Sequence, residues 1–168
     1  MPEDPQQCFR LVRPDEVESI AQLAVRAWKP IYENMRRLLG EELFRALHPK
    51  WEENKAEQVR SMARRHPEWV YVTEVEGRVV GFITFTMNSE TGVGEIGNNA
   101  VDPEYQGGGV GTAQHREVLR IFREHGMRVA KVTTGLDEAH APARRSYEKA
   151  GFNRCTTHIT YFLYLGDW

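Results

Sequence analysis

The stretch Val101-Asp102-Pro103-Glu104-Tyr105-Gln106-Gly107-Gly108-Gly109-Val110-Gly111-Thr112 decides how the chain is read. Before it lies a strand-like run, Glu95 to Val101. After it, Gly109 to His125 carries Val110, Ala113, Val118, Ile121 and Phe122 at helical spacing, with Gly126 as the stop. Consecutive glycines in such a strand-to-helix turn let main-chain N–H groups converge on an anion, and the helix N-terminus adds roughly half a positive charge. Diphosphate is the natural guest, and a flexible strand–helix turn is the plainer alternative. Two well-known phosphate loops do not fit. There is no Gly-Lys-Ser/Thr ending, and the spacing lacks the third glycine of the dinucleotide fingerprint.

Downstream, Val129 to Thr134 reads as a short strand. Pro142 to Ala150 reads as a helix with Pro in its first turn and Gly151 just past its end, and His158 to Leu165 is strand-like again. Upstream, Trp69 to Val75 and Val79 to Met87 flank Glu76-Gly77 as a hairpin, and Asn88 to Gly94 is a polar turn. Phe9 and Leu11 suggest a first strand ending at Pro14, behind a loose arm over residues 1–7. Asp15 then caps a helix whose face is Val17, Ile20, Ala21, Ala24 and Trp28, with Pro30 as its end. Met35, Leu38, Leu39, Leu43 and Leu47 predict a second helix stopped near Pro49. Residues 52–65 predict a third, mostly polar, with Ala56, Val59, Met62 and Ala63 as its apolar stripe. The order is α/β, and the strand–helix–strand unit at 95–134 is expected to be parallel.

At 168 residues the chain suits one domain, and neither a repeat nor a linker interrupts it. Lys plus Arg total 22 against 24 Asp plus Glu, a net charge of −2 that argues against nucleic-acid binding. No apolar run is long enough for a membrane span, and the start has no signal-peptide pattern. The two cysteines, Cys8 and Cys155, stand outside any CxxC motif, so a cysteine metal site is not expected and a cytoplasmic setting fits.

Gln106, Gly109 and Gly111 form Gln-x-x-Gly-x-Gly. Further on the chain reads His140-x-x-Ala143-x-x-x-Tyr147-x-x-x-Gly151-Phe152. In these two motifs, in Glu95-Ile96 followed by Ala100-Val101, and in the hairpin with Gly81, the chain resembles the GNAT superfamily of acetyl-CoA-dependent N-acetyltransferases over roughly residues 70–152. The resemblance implies one domain with a mixed, mostly antiparallel sheet, a central parallel strand pair and helices on both faces. Residues 15–68 would be variable acceptor-side helices, 69–152 the acetyl-CoA-binding core and 153–168 a C-terminal strand region. It further implies that Gln106, Gly107, Gly108, Gly109, Val110, Gly111 and Thr112 hold the CoA pyrophosphate. Ala100 and Val101 belong to the strand beside the pantetheine arm, and His140 and Ala143 would add cofactor contacts. His140 stands where the family usually has Asn.

The implied reaction moves an acetyl group from the thioester to a primary amine of a small molecule or protein, without a metal. It needs a neutral amine, a stabilised oxyanion and a proton for the departing thiolate. The resemblance carries the base role to Glu95, flanked by Ile96 and Phe85 as candidate apolar walls, and the acid role to Tyr147. The plainer readings are a solvent-facing strand-edge charge for Glu95 and a core aromatic for Tyr147. Gly97-Asn98-Asn99 is poor strand chemistry, consistent with a bulge or with a weak strand end. None of the six histidines has metal-ligand spacing, and each reads as structural. Arg144 or Arg145 could reach the CoA 3′-phosphate. Trp28, Tyr32 and Trp51 are core residues or acceptor-pocket walls. The competing reading is an acyl-CoA sensor without turnover. A homodimer is a family-level expectation, and the aromatic tail Tyr161, Phe162, Tyr164 and Trp168 suits either an interface or an ordinary last strand.

Overall fold

The computed structural model describes residues 7–166. Most of the expected N-terminal arm, and Trp168, lie outside them. The elements run β1 (Gln7–Leu11), α1 (Val17–Leu39), α2 (Glu41–Leu47), α3 (Trp51–Arg65), β2 (Val70–Val75), β3 (Arg78–Asn88), β4 (Val93–Val101), α4 (Val110–Glu124), β5 (Val129–Val132) and α5 (Ala141–Ala150). The sheet order is β1-β2-β3-β4-β5, antiparallel throughout except for β4 and β5, which run parallel as the strand–helix–strand unit requires. This is the mixed α/β sheet expected from the motifs. The parallel pair forms one margin of it, because no described strand follows beyond β5.

Two apolar layers sandwich the sheet. On one face Ile20, Ala21, Leu23 and Ala24 of α1 and Ala56, Val59 and Ala63 of α3 pack on Val70, Val72, Phe82 and Ala100. On the other, Val118, Leu119, Ile121 and Phe122 of α4 pack on Ile83, Phe85 and Ile96. Phe82 and Phe85 are almost wholly buried, each contributing about 1.5–3 kcal/mol on burial. Among the described residues no helix is long and apolar enough to cross a membrane.

Two expectations are corrected. Pro30 does not end the first helix, which runs on to Leu39. Pro removes one helical N–H and so frees the Arg26 carbonyl. Both residues lie on the exposed side, where water can donate to that carbonyl in place of the missing N–H. The true stop is Gly40, at φ +78°, whose N–H closes on Arg36 O, so the second helix expected from Met35 to Leu47 is divided between α1 and α2. The second correction concerns His158 to Leu165, which form no strand. Alternating β-branched and aromatic residues favour an extended conformation but cannot supply a partner edge. Residues 153–165 make no backbone hydrogen bond with any described residue.

Candidate active site

The glycine-rich loop is built from the end of β4. Asp102 is buried and folds one short helical turn by accepting from Glu104 N–H at 3.2 Å. Its other oxygen accepts from Arg26 of α1 at 2.9 Å, and its own N–H donates to Val80 O at 2.7 Å. Burial pushes the Asp102 carboxyl up, but Arg26 and the Glu104 amide outweigh it and hold it below the ordinary range. Gln106 turns back to donate its side-chain amide to Val101 O at 3.0 Å. Gly107 and Gly109 sit at φ +83° and +85°, where an added Cβ would meet nothing within 4 Å. The need for glycine there is conformational rather than steric. Gln106 to Gly109 are exposed, while Val110 anchors the helix in the core. The first helical bond beyond the loop is Ala113 N–H to Gly109 O at 3.0 Å. The amides of Val110, Gly111 and Thr112 therefore have no helical acceptor, the arrangement a pyrophosphate needs.

At the other end of β4 the pairing with β3 slips. Ile83 faces Asn99 but Phe85 faces Ile96, so Gly97 and Asn98 together stand opposite Thr84. This is the bulge expected at Gly97-Asn98-Asn99. A Cβ on Gly97 would come within 2.7 Å of Thr84 Oγ1, so the bulge residue itself must be small. Past the bulge, ordinary alternation sends neighbouring side chains to opposite faces. Asn98 turns to α3, and Asn99 turns to α4 and α5.

Asn99 is the centre of a buried polar chain. Its amide N–H donates to Tyr147 Oη at 3.1 Å and to Gly97 O at 3.2 Å. Its carbonyl oxygen must therefore accept from His115 Nε2 at 3.2 Å. That fixes the tautomer of His115, whose Nδ1 accepts from the Ser146 hydroxyl at 3.0 Å. Ser146 Oγ in turn takes the Thr112 hydroxyl proton at 3.2 Å. Donation thus runs Thr112, Ser146, His115, Asn99, Tyr147, and leaves the Tyr147 proton uncommitted. His115 is 2% exposed, and burial pulls its imidazole down to about 4, with Ser146 opposing, so it stays neutral as this tautomer demands. Burial also pushes the Tyr147 phenol up, and the Asn99 bond acts against that. The Tyr147 ring lies tilted against His115, with centroids 4.6 Å apart.

Glu95 lies elsewhere. It pairs across the sheet with Thr86 of β3 and Lys131 of β5, and its carboxylate meets Lys131 Nζ at 3.1 Å. Its side chain is 42% exposed, and Ile96 and Phe85 pack on the opposite face, so the expected apolar walls are absent. It lines an open cleft of about 780 Å³ between α3 and the β3–β4 pair, with Gln58, Thr84 and Asn98. Asn99, which holds Tyr147, and Glu95 therefore look to different faces of β4, four positions apart, about 13 Å along a strand.

His140 does not stand free at the start of α5. Its Nδ1 is 2.6 Å from Asp137 Oδ2, and Asp137 also accepts from Asn34 of α1 and from Ala139 N–H, both at 3.0 Å. Arg144 donates to Gly135 O and Asp137 O at 2.6 and 2.8 Å, which makes it a clamp on that turn rather than a free phosphate ligand. Ala143 sits one turn before Tyr147, small and partly buried.

Three residues were not anticipated as site components: Ser146, which joins His115 to Thr112, and the two that follow. His115 lies on the buried stripe of α4 with Val118, Leu119 and Phe122, and that position was the available signal. Lys55 sits at stripe spacing with Val59 and Ala63 and is 7% exposed. Its ammonium donates to Gln58 Oε1 at 3.0 Å and Asn98 Oδ1 at 3.1 Å, and lies 4.4 Å from the Trp28 ring centroid. Burial pulls it down to about 8, and no described carboxylate pairs with it. Tyr32 stacks on Trp51 at 4.2 Å, and Phe44 packs edge-on to Tyr32.

Comparison with known proteins places this arrangement. The fold matches the PaiA N-acetyltransferase of Thermoplasma acidophilum, solved in complex with coenzyme A, with TM-score 0.73 at 18% identity, covering 91% of this chain and 93% of that one. It also matches a GNAT family acetyltransferase of Brucella melitensis, solved with acetyl-CoA, with TM-score 0.60 at 23% identity over 89% and 84% of the two chains. The architecture is the fold that these two proteins share. The acetyltransferase (GNAT) family model matches residues 31–152, and the chain belongs to that family. It is 31% identical over 154 residues to a mycothiol acetyltransferase of Stackebrandtia nassauensis, covering 86% of this chain and 49% of that one. The chain spans half the length or less of the curated relatives it matches.

Proposed function

We propose that the chain is an N-acetyltransferase that passes an acetyl group from acetyl-CoA to a primary amine of a small molecule or a protein by direct attack. Acetyl-CoA supplies the activated acetyl as its thioester. The loop amides of Gln106 to Thr112 suit its pyrophosphate, with Val101 beside Gly111 and Ala143 one turn before Tyr147, while the Ala100 side chain packs toward α1 and α3 and has only its main chain to offer. The bulge at Gly97 and Asn98 takes main-chain N–H groups off the ladder, available to a carbonyl oxygen that gains charge. Tyr147, its lone pair occupied by Asn99, directs its proton outward to a departing thiolate. Glu95 takes the amine proton from the cleft side, directly or through water. His140, held by Asp137, supports the α5 turn and has only its second ring nitrogen for a cofactor contact.

The observation that carries this reading is the uncommitted Tyr147 proton at the end of the buried donor chain. The Glu95–Lys131 pair favours a second reading, an acyl-CoA-binding module without turnover, because it occupies the expected base. Calorimetry with acetyl-CoA and a thiol-release screen over amines separate the two. Binding with turnover on some amine supports the enzyme. Binding with no turnover across small amines and peptides favours the module, and no binding overturns both.

A further inference from the structure

We infer that Lys55 holds the carboxylate of the amine acceptor, so that the acceptor is a free α-amino acid. This rests on the acetyl transfer proposed above and names its acceptor class. Lys55 is buried, and its ammonium donates to two neutral oxygens, Gln58 Oε1 at 3.0 Å and Asn98 Oδ1 at 3.1 Å. The Trp28 ring covers another side, its centroid 4.4 Å away. Even pulled down to about 8 by burial, the group stays mostly protonated at pH 7. No carboxylate among the described residues answers that charge. Buried lysines are ordinarily paired, because neutral partners return only part of the hydration lost.

The cleft carries the same imbalance. Its two carboxylates are already matched, Glu57 by Arg60 and Arg64 and Glu95 by Lys131. Its cations are not. Among the described residues Arg65 on the rim bonds the Ser61 hydroxyl and no carboxylate. Lys55 stands directly behind Gln58 and Asn98, which both line the cleft. Gln58 is exposed, so its amide can swing out and leave an ammonium proton to a ligand.

Asn98 also belongs to the bulge whose main-chain N–H groups suit the thioester carbonyl. A carboxylate on Lys55 is therefore held one side chain away from the reacting centre, and the amine must lie close to it. In an α-amino acid the two groups share a single carbon, which meets that demand. A peptide N-terminus offers only a neutral amide oxygen in the same place. A plain amine offers nothing, and its charged form is repelled by the unanswered ammonium.

The experiment gives the full chain acetyl-CoA with the standard amino acids and their carboxamides, one at a time, beside plain amines and short peptides, and follows thiol release. At least one amino acid should be acetylated with kcat/KM about tenfold or more above its carboxamide, as a charge-assisted bond to a buried ammonium requires. The carboxamide has the less basic amine, so ionisation alone would favour it. Lys55→Met keeps the apolar stem and should bring the acid-to-amide ratio close to one, chiefly through KM. Lys55→Arg should restore part of it. Acetyl-CoA binding by calorimetry reports whether each variant is folded, and the wild-type ratio needs no variant. Acetylation of amines or peptides but of no amino acid overturns the inference and leaves the acetyltransferase reading standing. So does an acid preference that survives in folded Lys55→Met. If no compound turns over, the same acids and amides are titrated calorimetrically against the protein alone, and acids that bind no tighter than their amides overturn the inference.

Discussion

The Asn99 side-chain amide donates to the Tyr147 hydroxyl across 3.1 Å, joining the bulge of β4 to the second turn of α5. Asn99 donates to the phenol oxygen, so the phenol's own proton is left to donate onward. Tyr147→Phe keeps the ring against His115 and Phe152 but removes that proton. A fall in kcat of about 10²–10⁴ is expected, with acetyl-CoA affinity nearly unchanged. Asn99→Ala should lower kcat less, since the proton remains but its direction is lost. Steady-state kinetics with calorimetry decide the matter, and wild-type turnover in Tyr147→Phe would return Tyr147 to a packing role.

Glu95 makes a different prediction because its carboxylate is tied to Lys131 at the cleft rim. Glu95→Gln cannot accept a proton, so kcat/KM should drop near pH 7 and recover partly at high pH as free amine accumulates. Lys131→Met releases the carboxylate and should leave kcat/KM at least as high as wild type. Coincident pH–rate profiles for wild type and Glu95→Gln from pH 6 to 9 would remove Glu95 from the chemistry.

Gly109 is held at φ +85°, a conformation costing L-residues about 1–2 kcal/mol, with no crowding to add to it. Gly109→Val should weaken acetyl-CoA binding at least tenfold, about 1.4 kcal/mol, by turning the loop amides away. Gly109→Asn should lose less, since Asn tolerates the left-handed region. Equal affinity for wild type and a folded Gly109→Val variant, measured calorimetrically, would take the pyrophosphate away from this loop.

His115 supplies a pH signature of the folded state. Its native value of about 4 lies below the ordinary 6.5, so the unfolded chain takes up the proton first as pH falls. Stability is therefore full above pH 6.5 and is lost as pH falls toward 4, by up to about 3 kcal/mol from this group. His115→Gln should be less stable at neutral pH but shallower across that window. Urea titrations of both proteins at pH 4.5 and 7 give the two slopes, and parallel slopes would refute the assignment.

Much of this site was legible from residue order. The glycine run fixed the loop because few other residues hold positive φ, and Gly97-Asn98-Asn99 announced a bulge because such residues rarely continue a ladder. The parallel β4–β5 pair followed from the strand–helix–strand order, and Tyr147 was singled out by the family resemblance. What escaped had a different origin. The hydrogen-bond chain through His115 and Ser146 joins residues 31 positions apart, and only folded geometry pairs them. Glu95 lost its apolar walls because strand alternation puts Ile96 and Phe85 on the other face. Lys55 hid on an apolar stripe, where local pattern predicts a hydrophobe. Pro30 was read as a stop, but its lost bond lies on the wet side of α1, where helix continuation outweighs it. The last strand was misplaced because propensity names a conformation and not the edge that receives it.

The extra residue at Gly97 and Asn98 also acts as a change of phase along β4. Ahead of it odd-numbered side chains, Glu95 among them, look toward α3; beyond it the even-numbered Asn98 and Ala100 do, and Asn99 looks the other way. Deleting any one residue between Ile96 and Asn99 would restore a regular strand and a tidier sheet. It would keep Ile96 opposite Phe85 and Asn99 opposite Ile83, so Asn99 would still face Tyr147. The cost would fall on the bulge itself, whose main-chain N–H groups would return to the ladder, so a strand shortened there should keep the Tyr147 contact and lose the groups available to a charged carbonyl oxygen.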